Sequence, residues 1–212
     1  MAPDHAGPVL SLRGPRVGLG PLHAGLLPAI ARWENDLPLS ILSGEPARPL
    51  TAETLAADPV WTGREGPDVA SFAIYELSTL RPIGVIGLRH IDAPPGTAEL
   101  GISIGEADCR GRGYGTEATA LLLRHAFTDL GLRAVLLEVW SFNPGAIRTY
   151  LRVGFREIGR RREAQVMAGR AYDRVYMDCL AEEFVDPLSD EVDPHPDAQA
   201  SPLSRDRDTS QA

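Results

Sequence analysis

Alternation of apolar and polar residues predicts the strands of this chain. In residues 98–104, every second position from Leu100 to Ile104 is apolar, and the opposite set begins with Glu99, as in a strand with one buried face. Apolar or β-branched runs predict further strands at residues 17–22, 69–77, 83–91, 134–140, 155–162 and 170–180. The last two strands flank a turn at residues 168–169 and are expected to form a closing hairpin.

A helical period of apolar residues appears in two longer segments. Residues 23–36 repeat Leu26, Ile30 and Trp33 on one side, and residues 116–130 repeat Ala120, Leu123, Phe127 and Leu130. Glu117 falls on a different stripe of the second helix. Residues 51–57 predict a short helix, and residues 38–49 are expected to form a loop.

Residues 110–115 read Arg-Gly-Arg-Gly-Tyr-Gly and lie between the strand at 98–104 and the helix at 116–130. Glycines at alternate positions let a backbone adopt positive φ and approach a ligand without a Cβ in the way. The following helix directs its unpaired N–H groups and the positive end of its dipole into the loop, and two arginines add charge. Such a loop suits a pyrophosphate, although a glycine-rich turn taken alone is more often only a tight turn.

Three phosphate-binding patterns compete for this loop. A Walker A loop requires Gly-Lys-Ser/Thr, and all 21 basic residues of the chain are arginines. A dinucleotide fingerprint requires Gly-x-Gly-x-x-Gly, but counting from Gly111 and Gly113 the third position is Thr116. The pattern Gln/Arg-x-x-Gly-x-Gly/Ala is met by Arg110, Gly113 and Gly115. It resembles the acetyl-CoA pyrophosphate loop of the GNAT acyltransferase superfamily.

A second motif follows the strand at residues 134–140. Asn143 suits a helix N-cap, Pro144 suits the first helical position, and Gly154 suits the position after the helix. At 3.6 residues per turn, one helix face carries Asn143, Ala146, Ile147 and Tyr150. The segment resembles the superfamily signature Asn-x-x-Ala-x-x-x-Tyr-x-x-x-Gly-Phe. The runs Trp33-Glu34-Asn35-Asp36 and Thr116-Glu117-Ala118 are similar to its RimJ/RimL-like branch.

The resemblance implies an α/β (α+β) GNAT fold, with a central mixed, mostly antiparallel twisted sheet of about six to seven strands flanked by about four helices. The acetyltransferase domain is expected at residues 16–184. Residues 1–15 are expected to form a flexible N-terminal leader. Residues 185–212 are rich in Asp, Pro and Ser and lack aromatics, which predicts a disordered acidic tail.

The resemblance also implies N-acetyl transfer from acetyl-CoA to a primary amine, by direct attack in a ternary complex. Tyr150 matches the tyrosine that protonates the departing thiolate. Two carboxylates, Glu99 and Glu138, are candidates for the general base, and each has an alternative interpretation as an ion-pair partner or a solvated strand residue. The expected cofactor-binding residues are Ile102, Ile104, Arg110, Gly111, Arg112, Gly113, Tyr114, Gly115, Thr116, Asn143 and Ala146. Trp33, Asp36 and Trp61 are candidates for contact with the acceptor, and Trp33 could equally be core.

Composition limits the classes of partner that the chain is expected to bind. A net charge of −8 argues against nucleic acid, and two cysteines give no disulfide framework. No segment is expected to be a signal peptide or membrane span, which favours a bacterial cytoplasmic protein, and no metal is expected. The resemblance implies a small-molecule amine or a protein N-terminal α-amine as the acceptor, and a homodimer is one possibility. An alternative is a non-catalytic acyl-CoA-binding sensor or partner-binding domain.

Overall fold

The computed structural model describes residues 7–44, 49–62, 66–92, 94 and 96–189. Its central element is one sheet of eight strands in the order β1-β2-β3-β4-β5-β6-β8-β7. The strands are β1 Leu12–Arg13, β2 Val17–Pro21, β3 Ala70–Glu76, β4 Arg81–Asp92, β5 Thr97–Ile104, β6 Ala134–Trp140, β7 Arg156–Met167 and β8 Arg170–Leu180. All neighbours pair antiparallel except β5 and β6, which are parallel. The mixed, mostly antiparallel sheet expected from the sequence is confirmed.

Helices cover both faces of this sheet. They are α1 Leu27–Glu34, α2 Leu37–Ser43, α3 Ala52–Ala56, α4 Pro59–Thr62, α5 Tyr114–Arg124 and α6 Pro144–Arg152. A π-helical turn, His125–Asp129, extends α5. The main core lies between the sheet and α5 and α6, whereas a second core cluster joins α1 and α3 to the opposite face. Burial of apolar side chains on both faces gives the domain three layers.

The strand pattern determines which side chains reach each layer. In β5, Ala98 and Leu100 are buried in the main core, and Ile102 and Ile104 pack against it. The intervening residues, beginning with Glu99, therefore point to the opposite face, because successive side chains of a strand alternate. The parity read from the sequence is thus confirmed, and the structure shows that α5 and α6 lie on the isoleucine face.

The loop expected at residues 38–49 is wrong in its first half, because residues 37–43 form α2. Pro38 occupies the first turn of this helix, where a missing N–H leaves no hydrogen bond unmade. Gly44 ends the helix in the left-handed conformation with φ 74°. Pro38 is thus a local signal for the start of the helix, and Gly44 is one for its end. The short α4 was likewise not predicted.

The domain boundaries also differ from the expected ones. Within the leader expected at residues 1–15, Leu12 and Arg13 pair with Leu19 and Gly18 as β1, a strand too short to show an alternating pattern. Residues 1–6 lie outside the described residues.

At the other end, residues 185–189 were expected to belong to the disordered tail. The N–H of Val185 donates to the carbonyl of Val153 over 3.3 Å, and Asp186 pairs with Arg124 at 2.7 Å. Leu188 packs against the main core. The domain therefore continues past residue 184, and the rest of the expected tail, residues 190–212, lies outside the described residues.

Candidate functional site

The parallel strands β5 and β6 separate along their length and open a cavity. Their pairing is confined to Thr97, Ala98 and Glu99 against residues 134–136. Beyond Glu99, β5 continues beside β4 alone, and β6 continues beside β8. The gap belongs to a cavity of about 730 Å³, lined by β5, β6, α2, α6 and the loop before α5. The backbone edge of β5 that faces the gap is therefore available to pair with a ligand as an added strand would.

The loop at residues 110–113 has the backbone that its glycines predicted. Gly111 and Gly113 lie at φ 71° and 85°, a region that disfavours side chains. Gly115 is already inside α5, where a Cβ would be 3.7 Å from the Ile104 side chain. The first N–H of α5 with a helical partner is that of Glu117, which donates to the carbonyl of Gly113. The preceding N–H groups converge at the positive end of the helix and can hold an anion.

The two arginines of the loop have different roles. Arg110 donates from Nη2 to Asp36 at 2.8 Å and from Nε to the carbonyl of Ile104 at 2.9 Å. Its charge is thus paired with Asp36, the residue before α2, and its side chain fixes the loop to the end of β5. Arg112 is exposed and has no ion pair among the residues that the structure describes. Arg110 lines the cavity with its charge paired, and Arg112 lies outside the cavity lining, so neither arginine presents an unpaired charge to the cavity.

Tyr114 faces away from the cavity. Its hydroxyl donates to Glu76 Oε1 at 2.7 Å, and the Arg16 guanidinium lies 5.2 Å from the centre of its ring. Its expected contribution to cofactor binding is therefore limited to its backbone. Thr116, by contrast, lines the cavity.

Glu117 holds α5 against the chain at Arg16 and Val17, a contact that the sequence pattern did not predict. Glu117 is only 3% exposed, and its Oε1 accepts the backbone N–H groups of Arg16 and Val17 at 2.7 and 2.9 Å. Its Oε2 accepts Arg16 Nε at 2.9 Å. Arg16 also donates to the carbonyl of Arg112 over 3.0 Å. Helical spacing separated Glu117 from the apolar stripe but could not reveal that β2 covers it.

The helix α6 forms the opposite wall and begins as predicted. The Asn143 side chain caps it by accepting the N–H of Ala146 at 3.1 Å. Its Nδ2 donates to the carbonyl of Leu42 at 3.4 Å and so connects α6 to α2. Asn143, Ala146 and Tyr150 all line the cavity. Three of the four residues placed on one face by helical spacing therefore line the cavity, and the fourth, Ile147, packs against the main core.

Tyr150 is a buried ionisable group in the cavity wall. It is 7% exposed, and its ring packs against Phe155 with centroids 5.7 Å apart. Within the described residues its hydroxyl makes no hydrogen bond. Burial raises the pKa of this phenol to about 12. The group is therefore a neutral hydrogen-bond donor throughout the physiological pH range.

Both candidate bases line the cavity, on the face opposite Tyr150. Glu99 pairs with Leu136, so Glu99 and Glu138 share the sheet face that α2 covers. Partial burial raises the pKa of Glu99, but the hydrogen bond and charge of Arg89, together with His90, outweigh it and leave the pKa below its ordinary value. Arg89 Nε donates to Glu99 at 3.0 Å, and Arg174 pairs with Glu138. The ion pairs that were the alternative interpretation of both glutamates are thus present.

The three residues expected to contact the acceptor lie outside the cavity lining. Trp33 is 4% exposed in the second core cluster and donates from its indole to Glu106 at 2.9 Å. Trp61 packs against the same cluster. Asp36 is the partner of Arg110. Trp33 is therefore a core residue, the alternative that the sequence left open, and none of the three contributes to the described cavity lining.

Side chains of α2 and β6 line the cavity beside the two glutamates. Trp140 lines the cavity, donates to the carbonyl of Ser43 at 2.9 Å and stacks under the Arg174 guanidinium, 4.3 Å from its ring centre. Leu39 and Leu42 of α2 line the same side. Only the alternation of β6 could have indicated Trp140, because it places Trp140 on the face of Glu138.

The described residues show neither a metal site nor a membrane-spanning helix. They contain no group of three or more His, Cys, Asp or Glu side chains placed to hold a metal ion. None of their helices combines the length and apolar character needed to cross a bilayer. Cys109 and Cys179 are both buried free thiols whose pKa is raised by burial.

Known proteins share this sequence pattern and fold. A family described as an acetyltransferase (GNAT) domain matches residues 16–156. An uncharacterized N-acetyltransferase of Bacillus licheniformis is 32% identical over 109 residues, covering 51% of this chain and 60% of the relative. Mycothiol acetyltransferase of Mycobacteroides abscessus is 39% identical over 85 residues, covering 40% of this chain and 28% of the relative. The chain thus spans less than two thirds of the length of these relatives.

A solved structure extends the likeness to the fold. Spermidine N-acetyltransferase from Vibrio cholerae, in complex with CoA and spermine, superposes with a TM-score of 0.71 at 24% identity. The superposition covers 79% of this chain and 97% of that one. At this identity the likeness establishes the architecture.

Proposed function

Because the chain belongs to the GNAT acetyltransferase family, as its two motifs predicted, we propose that it is an acetyl-CoA-dependent N-acetyltransferase acting on a primary amine. One observation carries the proposal. A single cavity is lined by an anion-binding loop and a neutral tyrosine on one sheet face and by two carboxylates on the other. The gap between β5 and β6 connects the two faces. A thioester and an amine can therefore approach each other from opposite sides of the sheet.

Acetyl-CoA supplies the activated acetyl group, and the residues present fit it. The unpaired N–H groups at the start of α5, with Gly111 and Gly113 in positive φ, suit its pyrophosphate. The gap-facing edge of β5 near Ile102 and Ile104 suits the pantetheine amides. Asn143 and Ala146 would border the same arm on the α6 side.

Tyr150 is the proposed general acid. A pKa of about 12 keeps its proton at neutral pH, and the hydroxyl has no partner among the described residues that would compete for the donor. The group can therefore donate to a departing thiolate. A backbone N–H on the gap-facing edge of β5 would stabilise the oxyanion formed by amine attack.

Glu99 is the proposed base, with Glu138 the second candidate. An alkylammonium has a pKa of about 10, so a carboxylate, directly or through water, must accept a proton before attack. Glu99 is the last residue paired across β5 and β6, at the point where the cavity opens. Arg89 and His90 keep it ionised.

The finer assignments rest on sequence likeness. We place the chain in the RimJ/RimL-like branch because residues 33–36 and 116–118 are similar to that branch. Its acceptor would be a small-molecule amine or a protein N-terminus, and its compartment the bacterial cytoplasm. The proposal includes a homodimer.

Thiol release from acetyl-CoA tests the function. The full chain is incubated with acetyl-CoA and a panel of amino acids, polyamines, amino sugars and short peptides, and free CoA is measured with a thiol reagent. Amine-dependent release supports the enzyme. Tight acetyl-CoA binding without release on any amine supports the sensor, and absence of both contradicts the cavity assignment itself.

A further inference from the structure

On the sheet face that carries Glu99 and Glu138, the acceptor side of the cavity, part of the sheet backbone has no side chain over it. Gly101 shares the face of Glu99, and a Cβ built on it would meet no atom within 4 Å. Gly87, its partner on β4, also lacks a side chain. The sheet surface next to Glu99 is therefore bare backbone at Gly87 and Gly101, and Glu138 lies across the gap between β5 and β6.

The charge of this cavity does not suit a polycation. Among the described residues that line it are five arginines and two glutamates. Each of the two glutamates already has an arginine partner, Arg89 for Glu99 and Arg174 for Glu138. Arg110, Arg148 and Arg152 lie on the side of the loop and α6, so only Arg89 and Arg174 stand beside the two glutamates. Both glutamates are already paired there, and a polyamine would find no unpaired carboxylate among the described residues of this face.

Both partner arginines keep donors for a second anion. Arg89 uses Nε for Glu99, and Arg174 uses Nη1 for Glu138. Their remaining guanidinium N–H groups have no acceptor within the part of the chain that the structure describes. A guanidinium carries five donors and can bind a carboxylate through two parallel hydrogen bonds.

Arg174 is the better placed of the two. Its side chain is 32% exposed, against 61% for Arg89, and its guanidinium lies over the Trp140 indole, 4.3 Å from the ring centre. Stacking fixes the plane of the guanidinium, and partial burial strengthens its attraction for an anion. Trp140 is itself held by the carbonyl of Ser43.

Resting on the proposed function, we propose that the acceptor is an amine that carries a carboxylate next to its amino group, an α-amino acid or a close analogue, and that Arg174 binds this carboxylate. Arg174 donates a hydrogen bond to Glu138. The arginine that would bind a carboxylate is therefore adjacent to the glutamate that would bind an ammonium. An acceptor that engages both must hold its ammonium and its carboxylate close together. A polyamine or a peptide N-terminus has no such neighbouring carboxylate.

The test compares matched acceptors. Each L-amino acid is assayed beside its α-carboxamide and its decarboxylated amine, by thiol release from acetyl-CoA, and kcat/KM is expressed per concentration of unprotonated amine. The carboxamide keeps the size and α-amine of the acid and removes only the charge. We expect at least one acid to exceed both of its matched amines in kcat/KM by about tenfold or more, the scale of a charge-assisted hydrogen bond.

Variants assign the preference to one side chain. Arg174→Gln is expected to raise KM for the acid and bring its advantage over the carboxamide close to one, while Arg174→Lys retains part of it. Arg156→Gln is the matched control, because Arg156 also pairs with a glutamate, Glu183 at 2.7 Å, but lies outside the cavity lining. An unchanged preference in a folded Arg174→Gln protein overturns the assignment to Arg174.

The outcomes separate this inference from the function on which it rests. Amines or carboxamides that turn over as well as the acids, or turnover confined to polyamines or peptides, overturn the inference and leave the N-acetyltransferase in place. Acetyl-CoA binding without thiol release on any acceptor overturns both proposals.

Discussion

At the scale of single residues, the Tyr150 hydroxyl has the clearest consequence. Tyr150→Phe removes the proposed proton donor and leaves the packing against Phe155. We expect kcat to fall by about 10²–10⁴-fold, the usual contribution of a positioned acid, with the Kd for acetyl-CoA within about threefold. Thiol release gives kcat, and calorimetry gives Kd. Tyr172→Phe, outside the cavity lining, is the control; a large loss of acetyl-CoA affinity in Tyr150→Phe would contradict the role.

The pH dependence of the same residue follows from its pKa. Burial raises it from 10.0 to about 12, so the folded protein keeps the proton where the unfolded chain loses it. Stability from this group is complete below pH 10 and declines as the pH rises towards 12. Turnover should therefore rise with amine deprotonation and show no falling limb from Tyr150 below about pH 10. A falling limb near pH 9 that disappears in Tyr150→Phe would overturn this expectation.

The two glutamates differ in position along the gap, and this difference can be measured. Glu99→Gln should lower kcat by about tenfold or more, because the base is lost at the point where β5 and β6 separate. Glu138→Gln is the matched variant and should act mainly on KM for the acceptor. Steady-state kinetics with one accepted amine distinguish them. Equal kcat in Glu99→Gln and the wild type would remove Glu99 from the mechanism.

At the scale of elements, the loop before α5 is best tested at Gly111. A Cβ at Gly113 would lie 3.0 Å from Arg16, whereas one at Gly111 meets nothing within 4 Å. Asn and Asp are nearly isosteric and both tolerate positive φ, so Gly111→Asn and Gly111→Asp share the strain and differ in charge. We expect the Asp variant to bind acetyl-CoA about tenfold or more weakly than the Asn variant, less so at high salt. Equal affinities would contradict the pyrophosphate assignment.

Local motifs made this loop and α6 predictable from sequence. Gly111, Gly113 and the cap Asn143 act through backbone conformation and neighbouring N–H groups, which adjacent residues define. Arg174 and Trp140 could not be placed in the same way. They meet because β6 and β8 pair in one register, and no local pattern fixes that register.

Helical periodicity also does not indicate which apolar layer of the domain a side chain joins. Trp33 has the spacing of a buried helix residue, and the same spacing suits a core position or a cavity wall. Its burial in the second core cluster depends on Gly105, where a Cβ would overlap the indole. The start of α2, by contrast, was readable in principle from Pro38 and Gly44.

At the scale of the whole molecule, the chain between residues 185 and 189 completes the domain. Val185 donates to Val153, Asp186 pairs with Arg124, and Leu188 covers part of the main core. A chain that stops after Phe184 loses one hydrogen bond, one partly buried ion pair and one apolar contact. Together these are worth about 1–3 kcal/mol of unfolding free energy.

Two truncations test this boundary. The chain that stops after Ser189 should unfold in urea like the full chain, because it keeps all three contacts, whereas the chain that stops after Phe184 should have a Tm lower by roughly 2–8 °C. Arg124→Gln in the Ser189 chain is the matched control for the ion pair and should reproduce only part of the loss. Neither truncation touches the cavity lining, so both should release thiol at low temperature. Equal stability of the two truncations would return the boundary to residue 184, because the contacts of Asp186 and Leu188 would then contribute nothing measurable.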